Sequence, residues 1–154
     1  MVGLFGKPRE SLGPEDQPVT NPLLKRNIVT ESVGPFRVTG LGPAVDSLKQ
    51  VFKAIAAQHP GLERRFGTAG MLSCRLVRGS STSISNHAWG TAIDLTIDGM
   101  LDERGDGRVQ EGLTWIAPIF NSFGWYWGAM FPTEDAMHFD ASLSLARKLR
   151  NQLK

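Results

Sequence analysis

Two histidines and two aspartates in the second half of the sequence have the residue types and spacing of a hydrolytic metal site. They are His87, Asp94, Asp135 and His138. Two imidazoles and one carboxylate form the three-ligand set of a catalytic zinc ion, which keeps a fourth position for water. Asp135 lies three residues before His138 and could stand beside that water as a general base without binding the metal. We therefore predict that His87, Asp94 and His138 bind one Zn²⁺.

The strand predicted around Asp94 gives a physical reason for a partner. Over residues 92–97 the large apolar side chains would share one face and Asp94 would point to the other. A carboxylate in the middle of such a strand is costly unless it is compensated. His138 sits in the same way between two apolar neighbours. A metal would compensate Asp94, and so would a helix cap or an arginine such as Arg75 or Arg78.

Ordinary structural roles are the alternatives to a metal site. His87 could be a loop histidine that is bonded to the backbone, and Asp94 could pair with an arginine. His59 lies at the predicted end of a helix before a proline, and we interpret it as structural.

Two segments resemble the paired signatures of one family of zinc peptidases. The run Ser85–Asp94, SNHAWGTAID, resembles the Ser-x-His-x-x-Gly-x-Ala-x-Asp signature of D-alanyl-D-alanine carboxypeptidases and dipeptidases. The run Asp135–Phe139, DAMHF, is similar to the second signature of that family. The carboxypeptidase branch has Glu at the position of Asp135, whereas the branch of L-alanyl-D-glutamate peptidases, with many phage endolysins, has Asp. The resemblance covers roughly residues 21–154, and residues 74–80 and 124–128 also look like the second branch.

This resemblance implies a role for each matching residue. The two histidines and Asp94 match the zinc ligands, and Asp135 matches the catalytic carboxylate. Ser85 matches a serine that supports the loop or the substrate. Arg75 matches an arginine that binds substrate or stabilises the oxyanion, and Arg78 is the competing candidate.

The predicted activity is that of a zinc endopeptidase which cuts the L-alanyl-D-glutamate bond in the stem peptides of peptidoglycan. A D-alanyl-D-alanine carboxypeptidase is the close alternative, and Asp135 in place of Glu favours the first. A non-catalytic zinc-containing interaction module, as in the hedgehog domains that resemble these peptidases, is an alternative of a different class.

The periodicity of apolar residues predicts a small α+β fold. We expect a mainly antiparallel sheet with helices packed on one side and the zinc-binding groove on the other. Residues 1–20, rich in Gly, Pro and charge, are predicted to be a flexible tail, and residues 21–154 the peptidase domain. The predicted elements are helices over 44–58, 112–123 and 143–153, strands over 71–77, 91–97 and 136–140, and short extended or aromatic segments over 33–38 and 124–131.

Three other segments could be mistaken for functional sites or add to one. Cys74 is predicted to lie on the apolar face of its strand, as a buried structural thiol and not a nucleophile. The loop Asp98–Arg108 is interpreted as a polar turn, with a bound Ca²⁺ as the alternative. Among the clustered aromatic residues, Trp127 or Trp89 is expected nearest the substrate.

The composition limits the class of protein. The chain has 154 residues, 41% of them apolar and 21% charged, as in a globular domain. A net charge of +2 gives no argument for nucleic acid, and no segment reaches the length of a membrane span. We expect a monomer that is made in the cytoplasm without a signal peptide and acts on the cell wall after release or delivery by another system.

Overall fold

Helices and strands alternate along the chain in the computed structural model, which describes residues 1–154. The helices are α1 (Val2–Phe5), α2 (Pro22–Lys25), α3 (Gly42–Gln58), α4 (Glu111–Ser122) and α5 (Leu143–Asn151). The strands are β1 (Ile28–Ser32), β2 (Arg37–Leu41), β3 (Phe66–Gly70), β4 (Ala92–Ile97), β5 (Met100–Leu101), β6 (Trp125–Trp127) and β7 (His138–Ala141). Short 3₁₀ helices lie at Glu63–Arg65, Asn86–Trp89 and Gly128–Met130.

The main sheet is antiparallel and brings two of the predicted ligands together. Its strand order is β3-β4-β7-β6, with β5 paired to the end of β4. The β4–β7 register sets Asp94 directly opposite His138. Side chains opposite each other in an antiparallel pair start about 5 Å apart at Cβ. A separate hairpin is formed by β1 and β2.

The hydrophobic core lies between this sheet and the long helices. The β4 residues Ile93 and Leu95 are fully buried, and their neighbour Asp94 points away from them. The ring of Phe120, on α4, stacks on that of Phe139, on β7, with centroids 4.0 Å apart. The predicted α+β class is therefore confirmed, with helices on the apolar side of the sheet.

The helix α3 follows from its sequence pattern. Pro43 occupies its first turn, where the missing N–H costs no hydrogen bond. Its apolar residues recur with helical spacing and are buried: Val45, Leu48, Val51, Phe52 and Ile55. The helix α4 contains Pro118, the predicted difficulty, at an exposed position.

The strand predicted over residues 71–77 is wrong. The strand of this region is β3, just before it, and its pairing with β4 becomes irregular between Thr68 and Gly70. Beyond Gly70 the chain leaves the sheet, and only Leu76 forms a β-bridge, with Ile84. The apolar alternation of 71–77 arises because Cys74 and Met71 enter the core from an extended segment.

The first twenty residues lie against the domain. Phe5 is buried in the core, and the Trp89 Nε1–H donates to the carbonyl of Gly6 at 2.8 Å. The Cys74 backbone N–H donates to the Asp16 carboxylate at 2.7 Å. The domain boundary at residue 20 stays a prediction, but the segment before it is packed and is not an extended tail in this structure. No helix combines the length and apolar character that a bilayer span requires.

Candidate metal site and its cleft

The three predicted ligands converge at one point. One ligand atom from each of His87, Asp94 and His138 lies within 4.8 Å of the other two. His138 Nδ1 is 2.9 Å from Asp94 Oδ1, and His87 Nε2 is 3.3 Å from Asp94 Oδ2. The two facing imidazole nitrogens are 3.2 Å apart.

His87 is held by its own loop. The Ser85 hydroxyl accepts the His87 backbone N–H at 3.3 Å and caps the 3₁₀ helix. Gly90 ends that helix in the left-handed conformation, where a Cβ would lie 2.6 Å from the backbone nitrogen of Leu41. The His87 Nδ1–H donates to the carbonyl of Met71 at 2.9 Å. Because a carbonyl only accepts, Nδ1 carries a proton, and Nε2 is the nitrogen that a neutral His87 could offer to a metal.

His138 is oriented by a carboxylate on each side. Its Nδ1 faces Asp94, and its Nε2 lies 2.9 Å from Asp140 Oδ1, at ion-pair distance though not aligned as a hydrogen bond. Burial disfavours charge on this imidazole, but Asp140 and Asp94 outweigh burial and raise the pKa of His138 to about 10. A carboxylate behind a metal-binding imidazole is the usual means of fixing its orientation.

Asp94 is stabilised as an anion at this point. Burial alone would raise the pKa of Asp94, but the contacts with His138 and His87 outweigh it and hold the pKa well below its usual range. The site thus gathers a carboxylate and two imidazole nitrogens around one position. This donor set fits a metal ion that accepts nitrogen and oxygen ligands, and His87, Asp94 and His138 could hold it.

Asp135 lies on the wall of the same cleft. Its backbone N–H donates to the carbonyl of Gly128 at 2.9 Å, and its carbonyl accepts the His138 N–H at 3.1 Å. A Cβ on Gly128 would lie 2.4 Å from that carbonyl oxygen, so only glycine allows this approach. Asp135 Oδ1 is buried without a hydrogen-bond partner, and burial raises the pKa of Asp135. Buried polar atoms without a partner are uncommon in folded proteins, so the position of Asp135 sets it apart from an ordinary structural carboxylate.

The cleft around these residues has a volume of about 760 Å³ and three arginines in its lining. Arg75 is half-buried, and its Nη1 donates to the carbonyl of Leu76 at 3.0 Å. Arg78 is exposed at the cleft margin. Arg104, which was not predicted from the sequence, has its Nε 3.8 Å from Asp135 Oδ2. Its place in a loop of charged residues gave no signal of this position.

The aromatic residue in the cleft differs from the two that were expected. Trp127 does not line the cleft, because its ring lies parallel to that of Phe139 and its Nε1–H donates to the carbonyl of Ala136. Trp89 is buried with its N–H on the N-terminal segment. Phe131 lines the cleft instead, and its ring centroid is 5.7 Å from that of His138.

Three carboxylates of the loop Asp98–Arg108 accept from protein donors, although Asp102 Oδ1 is buried without a partner. Asp98 pairs with Arg65, and Asp102 Oδ2 accepts the backbone N–H of Gln110 at 2.6 Å. Asp106 Oδ1 accepts the N–H of Arg108. These carboxylates form no shared cluster of metal-binding atoms, and the contacts are those of a polar turn.

Cys74 does not take part in the cleft chemistry. Its side chain belongs to the hydrophobic core, and burial raises the pKa of its thiol. A protonated buried thiol is a poor nucleophile.

A comparison with protein families supports the resemblance inferred from the sequence. Residues 78–141 match a family model described as D-alanyl-D-alanine carboxypeptidase, which belongs to the zinc peptidases. The matched segment contains all three candidate ligands and Asp135. No curated protein matches the chain. The family match supports a metallopeptidase, while it does not distinguish the endopeptidase from the carboxypeptidase.

Proposed function

We propose that this protein is a zinc-dependent endopeptidase that hydrolyses the L-alanyl-D-glutamate bond in the stem peptides of peptidoglycan. The convergence of His87, Asp94 and His138 in a cleft walled by Asp135 is the observation that carries the proposal. A peptidase acting on peptidoglycan peptides is also what the family match supports.

Zinc is the proposed ion because of the donor set. Two neutral imidazoles and one carboxylate are typical ligands of catalytic zinc, which leaves a position for water. When bound, zinc supplies a Lewis acid and water of lowered pKa. The chain's own contribution is to hold His87 through Met71 and His138 through Asp140, so that both ligand nitrogens face Asp94.

Asp135 is proposed as the general base. The Asp135 carboxylate, on the wall of the cleft, accepts a proton from the attacking water and then returns it to the leaving amine. The raised pKa of Asp135, which burial causes, makes this carboxylate a better proton acceptor than an exposed aspartate.

Arginines are proposed to stabilise the negative charge that develops on the scissile carbonyl. Arg75 is better placed for this than Arg78, because it is half-buried and already oriented by its bond to Leu76. Fixed donors in a water-poor site stabilise such a charge more than mobile, solvated ones. Ser85 acts through His87, since its hydroxyl caps the loop that carries this histidine.

The choice of bond rests on Asp135. The resemblance associates Asp at this position with L-alanyl-D-glutamate peptidases and Glu with carboxypeptidases. The description of the matching family model favours a D-alanyl-D-alanine carboxypeptidase as the second candidate. A zinc-containing module without activity is less well supported, because it would not need a buried carboxylate with an unpartnered oxygen beside the metal site.

Digestion of purified peptidoglycan by the zinc-loaded protein, followed by mass spectrometry, tests the proposal. We expect products with a new amino-terminal D-glutamate. Loss of terminal D-alanine alone would favour the carboxypeptidase, and intact muropeptides would favour the module.

Two classes of variant separate metal binding from chemistry. Asp135→Ala should keep zinc and lower turnover by about a hundredfold to ten-thousandfold, whereas His87→Ala should lose zinc and activity together. Asp46→Ala, at an exposed carboxylate on α3, is the matched control and should change neither. Release of zinc by Asp135→Ala would instead identify Asp135 as a ligand.

A further inference from the structure

The loop Asp98–Arg108 carries Arg104 to the wall of the cleft, and hydrogen bonds hold the backbone beside it. The Gly105 N–H donates to the Glu134 carbonyl at 3.0 Å. Glu134 Oε1 accepts the N–H groups of Asp106 and Gly107, at 2.9 and 3.2 Å. The residue that fastens this loop is therefore the direct neighbour of Asp135 in the chain.

The other side of the loop is anchored as well. Asp102 is buried, and its Oδ2 accepts the backbone N–H of Gln110, the residue that precedes α4. Gly105 and Gly107 both have positive φ angles, of 79° and 73°, a conformation that other residues rarely adopt. The backbone on both sides of Arg104 is thus held by hydrogen bonds and by turn geometry.

The guanidinium of Arg104 lines the cleft and donates no hydrogen bond within the protein. Its nearest charged partner is Asp135 Oδ2, and at 3.8 Å from Nε this contact is longer than a hydrogen bond. Arg75, by contrast, already uses one nitrogen on the Leu76 carbonyl. A planar guanidinium with free N–H groups is suited to bind a carboxylate through two parallel hydrogen bonds.

We infer that Arg104 is a specificity-determining residue that binds a carboxylate of the substrate close to the scissile bond. The inference rests on the proposed function and deepens it. In an L-alanyl-D-glutamate unit the glutamyl residue supplies the scissile nitrogen and carries a carboxylate a few bonds away from it. Asp135 must reach that nitrogen to return the proton. A carboxylate a few bonds away from the nitrogen would therefore lie close to Arg104, which is beside Asp135.

Binding of two matched peptide analogues tests the inference independently of cleavage. Both have a CH₂ group in place of the scissile nitrogen, which prevents hydrolysis, and they differ only in a free carboxylate or a carboxamide on the glutamyl residue. Calorimetry on the zinc-loaded protein should show that the carboxylate analogue binds more tightly by roughly tenfold to a hundredfold. Arg104→Gln should abolish this preference, and Arg104→Lys should restore only part of it, because a lysine cannot form the paired contact.

Arg108→Gln is the matched control, since Arg108 belongs to the same loop but does not line the cleft. It should keep the full preference. A preference that survives in Arg104→Gln, or one that is absent from the unmodified protein, would overturn the inference.

Digestion of peptidoglycan reports separately on the proposed function. Cleavage at the predicted bond without a carboxylate preference would leave that function standing and refute the role of Arg104. A preference that depends on Arg104, in a protein that cleaves no muropeptide, would support carboxylate binding by Arg104 and refute the proposed function.

Discussion

Gly128 gives the sharpest steric test of how the candidate base is positioned. In the Gly128→Ala variant, the added Cβ would lie 2.4 Å from the backbone oxygen of Asp135 and 3.0 Å from that of His138. Ordinary contact begins near 3.4 Å, so Asp135 must move by about 1 Å. Both obstacles are backbone atoms, and no flexible side chain can rotate away to relieve the clash.

The expected loss of activity follows from this displacement. A misplacement of about 1 Å at a reacting group costs about a hundredfold in rate. Gly128→Ala should therefore lower kcat/KM by about a hundredfold, and overpacking should lower the free energy of unfolding by about 1–3 kcal/mol. The zinc affinity should fall too, because His138 is attached to the same turn.

Steady-state kinetics on a peptidoglycan peptide, zinc analysis and thermal unfolding measure the three effects. Gly13→Ala is the control, because a Cβ at Gly13 would meet no atom within 4 Å. Full activity in a folded Gly128→Ala variant would refute the argument that this close approach positions Asp135.

Four further predictions concern the metal site and the N-terminal segment. Asp140→Asn should weaken zinc binding by about tenfold to a hundredfold without unfolding the protein, whereas the control Asp46→Asn should leave zinc binding unchanged. Competition with a chelator measures the two affinities, and equal values would contradict the role of Asp140. Because the pKa of His138 is raised to about 10 in the metal-free protein, zinc binding at pH 7 should release at least one proton, and calorimetry in buffers of different ionisation enthalpy would detect it; no proton release would contradict the pairing. The contacts that raise the pKa of His138 also stabilise the metal-free fold. This stabilisation is complete below about pH 6.5, the pKa of the histidine in the unfolded chain, and should be lost as the pH rises toward 10. Phe5→Ala should lower the free energy of unfolding by about 3–5 kcal/mol in denaturant titration, whereas the exposed Val2→Ala should have little effect; equal stabilities would show that residues 1–20 are a tail after all.

The long helices and β4 could be predicted from the sequence because their periodicity is strong. The observed α3 extends the prediction by two residues at its start, and β4 starts one residue later than predicted. The strand β3 was missed because its sequence, FGTAG, contains two glycines and little that favours a strand. The alternating apolar residues that follow it look more like a strand but leave the sheet.

The candidate ligands could be predicted because their signatures are local, whereas other parts of the cleft depend on tertiary contacts. Trp127 was expected in the cleft, but consecutive aromatic residues in a strand alternate between faces, and the sequence does not tell which face is which. The position of Arg104 depends on the hydrogen bonds between Glu134 and the loop Asp98–Arg108, and no spacing in the sequence predicts these bonds. Asp140 could have been found, since it lies two residues after His138 and on the same face of β7.

The two imidazoles present different nitrogens to the metal position, Nε2 from His87 and Nδ1 from His138. Nδ1 lies at the same number of bonds from the backbone as the terminal oxygen of an asparagine, and Nε2 lies one atom farther out, as in glutamine. The best replacement therefore differs between the two histidines. His138→Asn and His87→Gln each keep an oxygen at the distance of the lost nitrogen, whereas His138→Gln would reach too far and His87→Asn not far enough. The difference in reach makes the two histidines chemically non-equivalent although they belong to one candidate metal site.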